Sequence, residues 1–108
     1  MTVSELSKNN ELTTLCMPCG DRVINGVYIG DLLSWVMGRA KEDDAWITIM
    51  SNSNTVAVAS LADASCVILA EGVTLEASII ETAKQNNINI FSTNLTAFEA
   101  AVMLSKII

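Results

Sequence analysis

Apolar residues along this chain fall into two kinds of segment, short continuous runs and longer stretches with helical spacing. The runs at 45–50, 66–70 and 88–91 are nearly unbroken, as is typical of strands that are buried on both faces. Two further strands are predicted at about 12–17 and 23–28. Strands separated by helices of about ten residues require crossover connections. The pattern therefore predicts an α/β fold, a single compact domain with a mostly parallel central sheet and helices on its faces.

Capping residues and apolar faces predict five helices. They cover about 2–10, 31–40, 55–61, 75–86 and 95–106. Thr2 and Glu5 have the spacing of a capping box at the start of the first helix, and Thr96 and Glu99 repeat it at the last. Asp31 is of the residue type preferred at an N-cap, so we expect it to cap the second helix.

The second helix carries an apolar stripe that we expect to face the core. Its members are Leu32, Leu33, Val36, Met37 and Ala40. Trp35 projects away from the centre of this stripe and lies four residues before Arg39, so the two side chains can stack on the helix surface. Trp and Arg are also enriched among the residues that anchor protein interfaces. The sequence leaves both readings open, a surface stacking pair or an interface that contains Trp35 and Arg39.

The last predicted helix, at 95–106, is apolar nearly all round, and Val102 lies in its central part. One buried face does not require so many apolar positions. This helix is therefore expected either to be sunk in the core or to contact another subunit. The second reading makes a homodimer, with Val102 in its interface, the expected assembly.

Length and composition favour one domain over residues 1–108. Hydrophobic residues make up 51% of the chain, enough for a core that needs no metal or disulfide. The net charge is −6, and the six basic residues are spread along the chain. Nucleic-acid binding needs a concentrated basic surface, so nucleic acid is not an expected partner.

The apolar runs are too short to form a membrane segment. None approaches the roughly 20 residues that a helix needs to cross a bilayer, so we expect no membrane partner. The first eight residues carry an acid and hydroxyls where a secretory signal carries basic charge followed by an apolar run. We therefore expect a cytoplasmic protein.

No recognisable catalytic set is present in the sequence. The chain contains no histidine, the usual general base near neutral pH and the commonest zinc ligand. Asp21 and Arg22 are adjacent, so on a strand they would point to opposite faces, and we expect Arg22 to pair with an acid in a structural role. The acidic run at 42–44 is interpreted as a solvated turn. The prediction is a protein that is not an enzyme and carries no cofactor or metal.

Polar residues connect the end of the predicted strand at 45–50 to a helix. They are Ser51, Asn52, Ser53, Asn54 and Thr55. Free N–H groups at a helix start favour anions, and ligands of open α/β sheets gather at the carboxyl ends of strands. The same residue types are preferred N-caps, so capping alone is the alternative. Thr93 lies in a similar stretch after the strand at 88–91, and if the two strands are neighbours both loops face one crevice. At Asp31, by contrast, a carboxylate occupies the place that an anion would take.

Cys16 and Cys19 have the spacing of a redox pair or of half a tetrahedral metal site. A redox pair needs its first thiol at a helix start, whereas this pair follows a strand and enters a turn. Cys66 is the one further cysteine in the chain. Ordinary reduced thiols are therefore expected, and a thiol redox or metal role stays open as the alternative.

Four segments, at 21–34, 44–49, 54–59 and 66–71, together resemble the DRTGG domain family. The first of them begins with Asp-Arg, as does the motif that names the family. The resemblance implies an α/β domain similar to the N-terminal domain of HPr kinase/phosphorylase, also found in some phosphotransacetylases and between nucleotide-sensing CBS modules in some pyrophosphatases. It implies a non-catalytic regulatory or dimerising role. Short proteins of this kind in anaerobic bacteria are sometimes encoded near hydrogenase or electron-transfer components.

The residues and the resemblance lead to one principal hypothesis and two alternatives. The principal hypothesis is a non-catalytic regulatory or ligand-sensing module, homodimeric, that binds an anionic metabolite or nucleotide. The first alternative is an interaction or dimerisation module that docks on a larger metabolic or electron-transfer enzyme. The second alternative is the thiol redox or metal protein that uses Cys16 and Cys19.

Overall fold

A computed structural model describes all 108 residues as one five-stranded sheet with helices on both faces. The strands are β1 Thr13–Cys16, β2 Gly26–Ile29, β3 Asp44–Thr48, β4 Cys66–Leu69 and β5 Ile90–Ser92. The helices are α1 Val3–Leu6, α2 Leu33–Arg39, α3 Ser53–Ala62, α4 Ala77–Gln85 and α5 Ala97–Ser105.

The strand order across the sheet is β1-β5-β4-β3-β2. The strands from β2 to β5 are parallel to their neighbours, and β1 pairs antiparallel with β5. The register places Trp46 of β3 opposite Tyr28 of β2 and opposite Val67 of β4. The predicted α/β class with a mostly parallel sheet is therefore confirmed.

Two apolar layers hold the helices on the sheet. On one face, α2, α3 and α4 pack on side chains such as Trp46 and Val67, which are fully buried. On the other face, α1 and α5 pack on the alternate side chains of the same strands, including Ile47 and Ile68. Successive side chains of a strand point to opposite faces, so a continuous apolar run supplies both layers.

Arg22 joins the loops that precede β3 and β4. Its guanidinium forms ion pairs with Asp43 at 2.7 Å and Asp63 at 2.9 Å. It also donates to the carbonyl oxygens of Asp63 at 2.9 Å and Ala64 at 3.2 Å. Partial burial by itself lowers the pKa of Arg22, but the two carboxylates outweigh that effect and raise the pKa above its usual value. The expectation that Arg22 pairs with an acid is confirmed.

The acidic turn at 42–44 is more structural than the sequence indicated, and the prediction of a solvated turn is wrong for two of its residues. Asp43 has φ 67° and forms the ion pair with Arg22. Asp44 is 8% exposed, and its carboxylate accepts a hydrogen bond from the Lys41 backbone N–H at 2.8 Å. These bonds hold the carboxylates of Asp43 and Asp44 at the point where the loop enters the buried start of β3.

A buried amide ties the turn after β1 to the start of β4. The Asn89 side chain donates to the carbonyl oxygens of Cys19 at 2.8 Å and Ser65 at 2.9 Å. Its oxygen accepts from the Cys19 backbone N–H at 2.9 Å. All of these groups are paired, so the polar side chain is buried at little cost.

Both predicted capping boxes are present, at the starts of α1 and α5. The predicted role of Asp31 is wrong, because the N-cap of α2 is Leu32, which has no side-chain hydrogen bond. The carboxylate of Asp31 instead accepts from the Thr48 hydroxyl at 2.8 Å and from the Ile49 backbone N–H at 3.0 Å. The short link between β2 and α2 leaves Asp31 beside the end of β3, where these donors lie.

The apolar stripe of α2 is only partly buried. Val36 is fully buried and Leu33 packs against the core, but Leu32 is 61% exposed and Met37 49% exposed. The expectation that the whole stripe faces the core is therefore wrong. The helix follows the edge strand β2 and has α3 as its helical neighbour, so fewer surfaces are available to cover it.

The outer face of α5 is also exposed. Ala100 and Leu104 are buried against the sheet, whereas Phe98 is 75% exposed. The reading in which this helix is sunk in the core is wrong, because the sheet covers one side of it and no element covers the other.

Replacing Arg22 should destabilise the fold. In Arg22→Gln the two carboxylates lose a charged partner, and we expect the free energy of unfolding to fall by about 1 to 3 kcal/mol. Arg39→Gln is the control, since Arg39 is exposed and makes no ion pair, and it should cost about 1 kcal/mol or less. Urea unfolding measures both. Equal losses would contradict a structural role of Arg22.

Cys66 should make the stability fall at alkaline pH. Complete burial raises the pKa of its thiol from 9.0 to about 12. Above pH 9 the unfolded chain therefore loses this proton while the folded chain keeps it. The contribution is fully present below about pH 9 and is lost as the pH rises towards 12, by up to about 1.4 kcal/mol per pH unit.

The matched variant for this pH test is Cys66→Ala, which lacks the thiol. Urea unfolding under reducing conditions at several pH values should show a shallower alkaline decline in Cys66→Ala than in the wild type. Parallel declines would contradict the assignment of the effect to Cys66.

Candidate functional site

The polar loop that follows β3 is largely used for capping α3. Asn52 is the N-cap, and its side-chain oxygen accepts from the Asn54 backbone N–H at 2.9 Å. Thr55 is buried, and its hydroxyl donates to the Met50 carbonyl oxygen at 2.7 Å. Ser51, Ser53 and Asn54 are exposed, although Asn54 takes part through its backbone. The capping alternative therefore describes Asn52 and Thr55, and the side chains free to meet a ligand are those of Ser51, Ser53 and Asn54.

Ser53 also lines a groove of about 430 Å³ between α3 and α4. The lining contains no charged residue: Ser53, Val56, Ala57, Ser60, Leu61, Thr82 and Asn86. An anion in this groove would therefore have only dipoles to contact.

Thr93 does not share a crevice with the loop after β3. β5 is separated from β3 by β4, so the neighbour relationship on which that expectation depended is absent. Thr93 is buried, and its hydroxyl donates to the Glu11 carbonyl oxygen at 2.7 Å and accepts from the Leu95 backbone N–H at 3.2 Å. Strand order depends on contacts between distant segments, which the local sequence pattern does not encode.

A pocket of about 350 Å³ lies along the open edge of the sheet, beside β2 and the end of α2. Its lining comprises Asn25, Gly26, Val27, Tyr28, Arg39, Lys41, Glu42 and Asp44. Arg39 and Lys41 are absent from the three ion pairs of the structure, which involve Arg22 and Lys84. Two cations that form no ion pair therefore line this pocket together with two acidic residues, and we call it the β2-edge pocket.

Gly26 is required by the shape of the β2-edge pocket. A Cβ at this position would lie 2.7 Å from the Asp44 carboxylate oxygen, so a side chain would push that carboxylate out of place. Lys41 and Gly26 were not predicted from the sequence as pocket residues. The closeness of two basic residues, at 39 and 41, in a chain with six cations was a signal that could have indicated Lys41.

Trp35 and Arg39 form a stacking pair, one of the two arrangements that the sequence left open. The guanidinium carbon lies 4.1 Å from the centroid of the indole ring, and Trp35 is 55% exposed. Val102 is partly buried on α5, which packs on the opposite face of the sheet from α2. The two sets of predicted interface residues therefore belong to different surfaces.

Cys16 lies in an environment that disfavours thiolate chemistry. Cys16 is buried, its thiol donates to the Ile88 carbonyl oxygen at 3.3 Å, and burial raises its pKa above the usual value. A reactive thiol has a lowered pKa. The structure contains no group of three or more Cys, Asp or Glu residues that could hold a metal ion. The burial and raised pKa of Cys16 speak against a redox role of this thiol.

No helix of the structure combines the length and the apolar character needed to cross a membrane.

Fold and site together define a small, mostly parallel α/β domain whose surface carries three pockets with polar or charged side chains in their walls. The model of the DRTGG domain family matches residues 14–107, and the chain belongs to this family. The expected family membership is thus confirmed. Comparison with curated proteins gave no match.

One solved structure has the same fold. It is the crystal structure of the CBS and DRTGG domains of the regulatory region of Clostridium perfringens pyrophosphatase, complexed with the activator diadenosine tetraphosphate. The TM-score is 0.68 at 21% sequence identity, and the match covers 86% of this chain. The matched part makes up 41% of the pyrophosphatase chain in that structure.

Two glycine substitutions should have opposite effects on stability. Gly26→Ala should lower the free energy of unfolding by about 1 to 3 kcal/mol, because the new Cβ meets the Asp44 carboxylate. Gly38→Ala is the matched control on α2, where nothing lies within 4 Å of the new Cβ. It should raise the free energy of unfolding by about 0.5 to 1 kcal/mol, since alanine favours helix. Thermal unfolding measures both, and a neutral Gly26→Ala would contradict the tight contact.

Proposed function

We propose that this chain is a non-catalytic regulatory module that binds an anionic metabolite or nucleotide and associates as a homodimer. Its family membership supports the regulatory role, since the pyrophosphatase with the same fold carries its DRTGG domain in a regulatory region. The observation that carries the proposal is the position of Arg39, which lines the β2-edge pocket and also stacks on the exposed Trp35.

The β2-edge pocket is our first candidate for the anion site. The chain has a net charge of −6, so most of its surface repels anions. Four cations form no ion pair, and of these Arg39 and Lys41 line a common pocket, in which Glu42 and Asp44 also lie. Arginine donates in a planar fork that suits phosphate and carboxylate oxygens. The Asp44 carboxylate in the wall already accepts a hydrogen bond from the Lys41 backbone N–H.

The loop at 51–55 is the second candidate for the anion site. It lies at the start of α3, where Ser51, Ser53 and Asn54 have exposed side chains. The helix dipole there favours a negative charge, although no cation lines the adjoining groove. Thr93 does not belong to this loop and lines a different crevice, beyond the carboxyl end of β5.

Arg39 offers a direct link between ligand and association. A guanidinium stacks through its face and donates hydrogen bonds in its plane, so it can hold an anion while it remains over Trp35. An anion bound in this way would fix the orientation of Arg39 and of the indole beneath it. We therefore propose that ligand binding orders the surface that contacts a second copy.

The proposed contact surface surrounds Trp35. Exposed apolar side chains occur at the end of β2, at the N-cap of α2, on α2 itself and just after β3. They are Ile29, Leu32, Trp35, Met37 and Ile49. Aromatic residues surrounded by apolar neighbours are the usual centres of protein interfaces. Val102 on α5 represents the second candidate surface.

A second candidate function is docking on a larger enzyme, and the exposed side chain of Trp35 favours it. In this alternative the Trp35 surface contacts that enzyme and not a second copy of this chain. A chain that remains monomeric in solution would favour this function over the homodimer.

The anion site can be tested by calorimetry with ATP, ADP, inorganic phosphate and acetyl phosphate. We expect at least one of them to bind the wild type, and Arg39→Gln and Lys41→Gln each to weaken it about tenfold through the loss of a charge-assisted hydrogen bond. Ser53→Asp is the matched variant for the loop at 51–55, and it should leave the affinity unchanged. A loss in Ser53→Asp alone would move the site to that loop, and no binding at all would contradict an anionic ligand.

The homodimer can be tested by light scattering across a concentration series. Trp35→Ala should weaken association because it removes the exposed centre of the proposed surface. Phe98→Ala is the control on α5, where Phe98 is 75% exposed on the other face of the sheet. Loss of association in Phe98→Ala alone would place the contact on α5 near Val102. A wild-type monomer at every concentration would contradict the homodimer.

A further inference from the structure

The connections that follow β4 and β5 leave the sheet on opposite faces. β4 continues to α4, which packs on the face of α2 and α3, whereas β5 continues to α5 on the face of α1. Neighbouring parallel strands whose connections diverge leave a gap at their carboxyl ends, and in open α/β sheets ligands bind in such gaps. The gap in this chain is a crevice of about 200 Å³.

The crevice is lined entirely by polar residues and glycine. The lining comprises Asn10, Glu11, Thr13, Gly72, Thr74, Ser92, Thr93 and Asn94. Three segments supply it, since the residues before and at the start of antiparallel β1 close the side that the two loops leave open. Among the three cavities of the structure, this one has no apolar side chain in its wall.

Backbone hydrogen bonds hold the walls of the crevice together. The Gly72 N–H donates to the Thr93 carbonyl oxygen, and the Glu71 N–H donates to the Leu95 carbonyl oxygen, both at 2.8 Å. Glu71 and Gly72 have φ 58° and 74°, left-handed values that a non-glycine residue such as Glu71 rarely adopts. This turn brings Gly72 so close to Asn94 that a Cβ would lie 3.2 Å from the side-chain oxygen. The crevice is therefore formed before any ligand arrives.

Most polar side chains of the crevice have no partner within the protein. Thr93 makes hydrogen bonds, but the other six polar side chains make none to any protein group: Asn10, Glu11, Thr13, Thr74, Ser92 and Asn94. Ser92 is only 8% exposed, so its hydroxyl can be reached mainly through the crevice. The other five side chains are exposed, so all six can exchange hydrogen bonds with a ligand that enters the crevice.

The charge of the crevice limits which ligands can bind in it. Glu11 is the one charged residue in the lining, and no lysine or arginine accompanies it. A phosphate or carboxylate would be repelled, and one carboxylate does not make a site for a divalent cation. The volume is smaller than the roughly 300 to 1,000 Å³ of sites for drug-sized ligands. A small neutral molecule with several hydroxyl groups satisfies both limits.

We propose that the crevice between the carboxyl ends of β4 and β5 binds a small neutral polyhydroxyl compound, a single sugar ring or a polyol of similar size. Hydroxyls both donate and accept, as the mixed amide, hydroxyl and carboxylate groups of the wall require. This site is separate from the β2-edge pocket and does not depend on the proposed function.

The test is an NMR titration of ¹⁵N-labelled protein with D-glucose, D-ribose and myo-inositol, and in parallel with glucose 6-phosphate and ribose 5-phosphate. At least one neutral compound should shift the amides of 10–13, 72–74 and 92–94 saturably, and its phosphorylated counterpart should bind more weakly. Equal or tighter binding of the phosphorylated compounds would overturn the proposal. So would the absence of a saturable shift with every neutral compound.

Variants locate the binding and separate it from the anion site. Ser92→Ala and Asn94→Ala should each weaken the neutral ligand about tenfold, the loss expected for one hydrogen bond in an enclosed site, without lowering the melting temperature. Glu11→Gln should narrow the difference between the neutral and phosphorylated compounds. Ser51→Ala and Arg39→Gln are controls outside the crevice and should leave the affinity unchanged. Unchanged affinity in both Ser92→Ala and Asn94→Ala would overturn the site.

Discussion

The guanidinium of Arg22 holds the amino end of the sheet together. It connects the segment before β2 to the loop before β3 through Asp43, and to the loop before β4 through Asp63 and Ala64. Asp43 and Asp63 both have left-handed backbone conformations, which are unfavourable for residues other than glycine. The ion pairs offset that conformational cost, and they fix where β3 and β4 begin. Arginine is suited to this role because its planar fork reaches several acceptors at once.

The proposed ligand sites depend on the bonds of Arg22 to different degrees. The loop fixed through Asp43 also carries Lys41 and Asp44, so the shape of the β2-edge pocket follows from the position of Arg22. The crevice beyond β4 and β5 lies at the other end of the strands, where it is held by its own backbone hydrogen bonds. Near Arg22 the polar groups form hydrogen bonds within the protein, as the Asn89 amide illustrates. In the crevice most of the polar side chains form none. That contrast separates groups that stabilise the fold from groups available to a ligand.

Much of the fold could be predicted from local pattern. The continuous apolar runs gave all three central strands, and the Thr-x-x-Glu spacing gave the capping boxes of α1 and α5, because these signals involve residues close in sequence. The role of Asp31 was missed because Thr48 and Ile49 reach it only after β2 and β3 have paired. Strand order likewise separates Thr93 from the loop after β3. The β2-edge pocket was not predicted because it too depends on distant segments. Arg39 and Gly26 come to line one pocket only after α2 has packed on the sheet beside β2.

We propose that Arg39 and Lys41 form the anion site of a regulatory domain. The most direct measurement is an NMR titration of ¹⁵N-labelled protein with the anion that binds most tightly among ATP, ADP, inorganic phosphate and acetyl phosphate. We expect saturable shifts of the amides at 25–28 and 39–44 and of the Trp35 indole N–H, with the amides at 51–55 unmoved. Shifts confined to 51–55, or no saturable shift, would overturn this assignment.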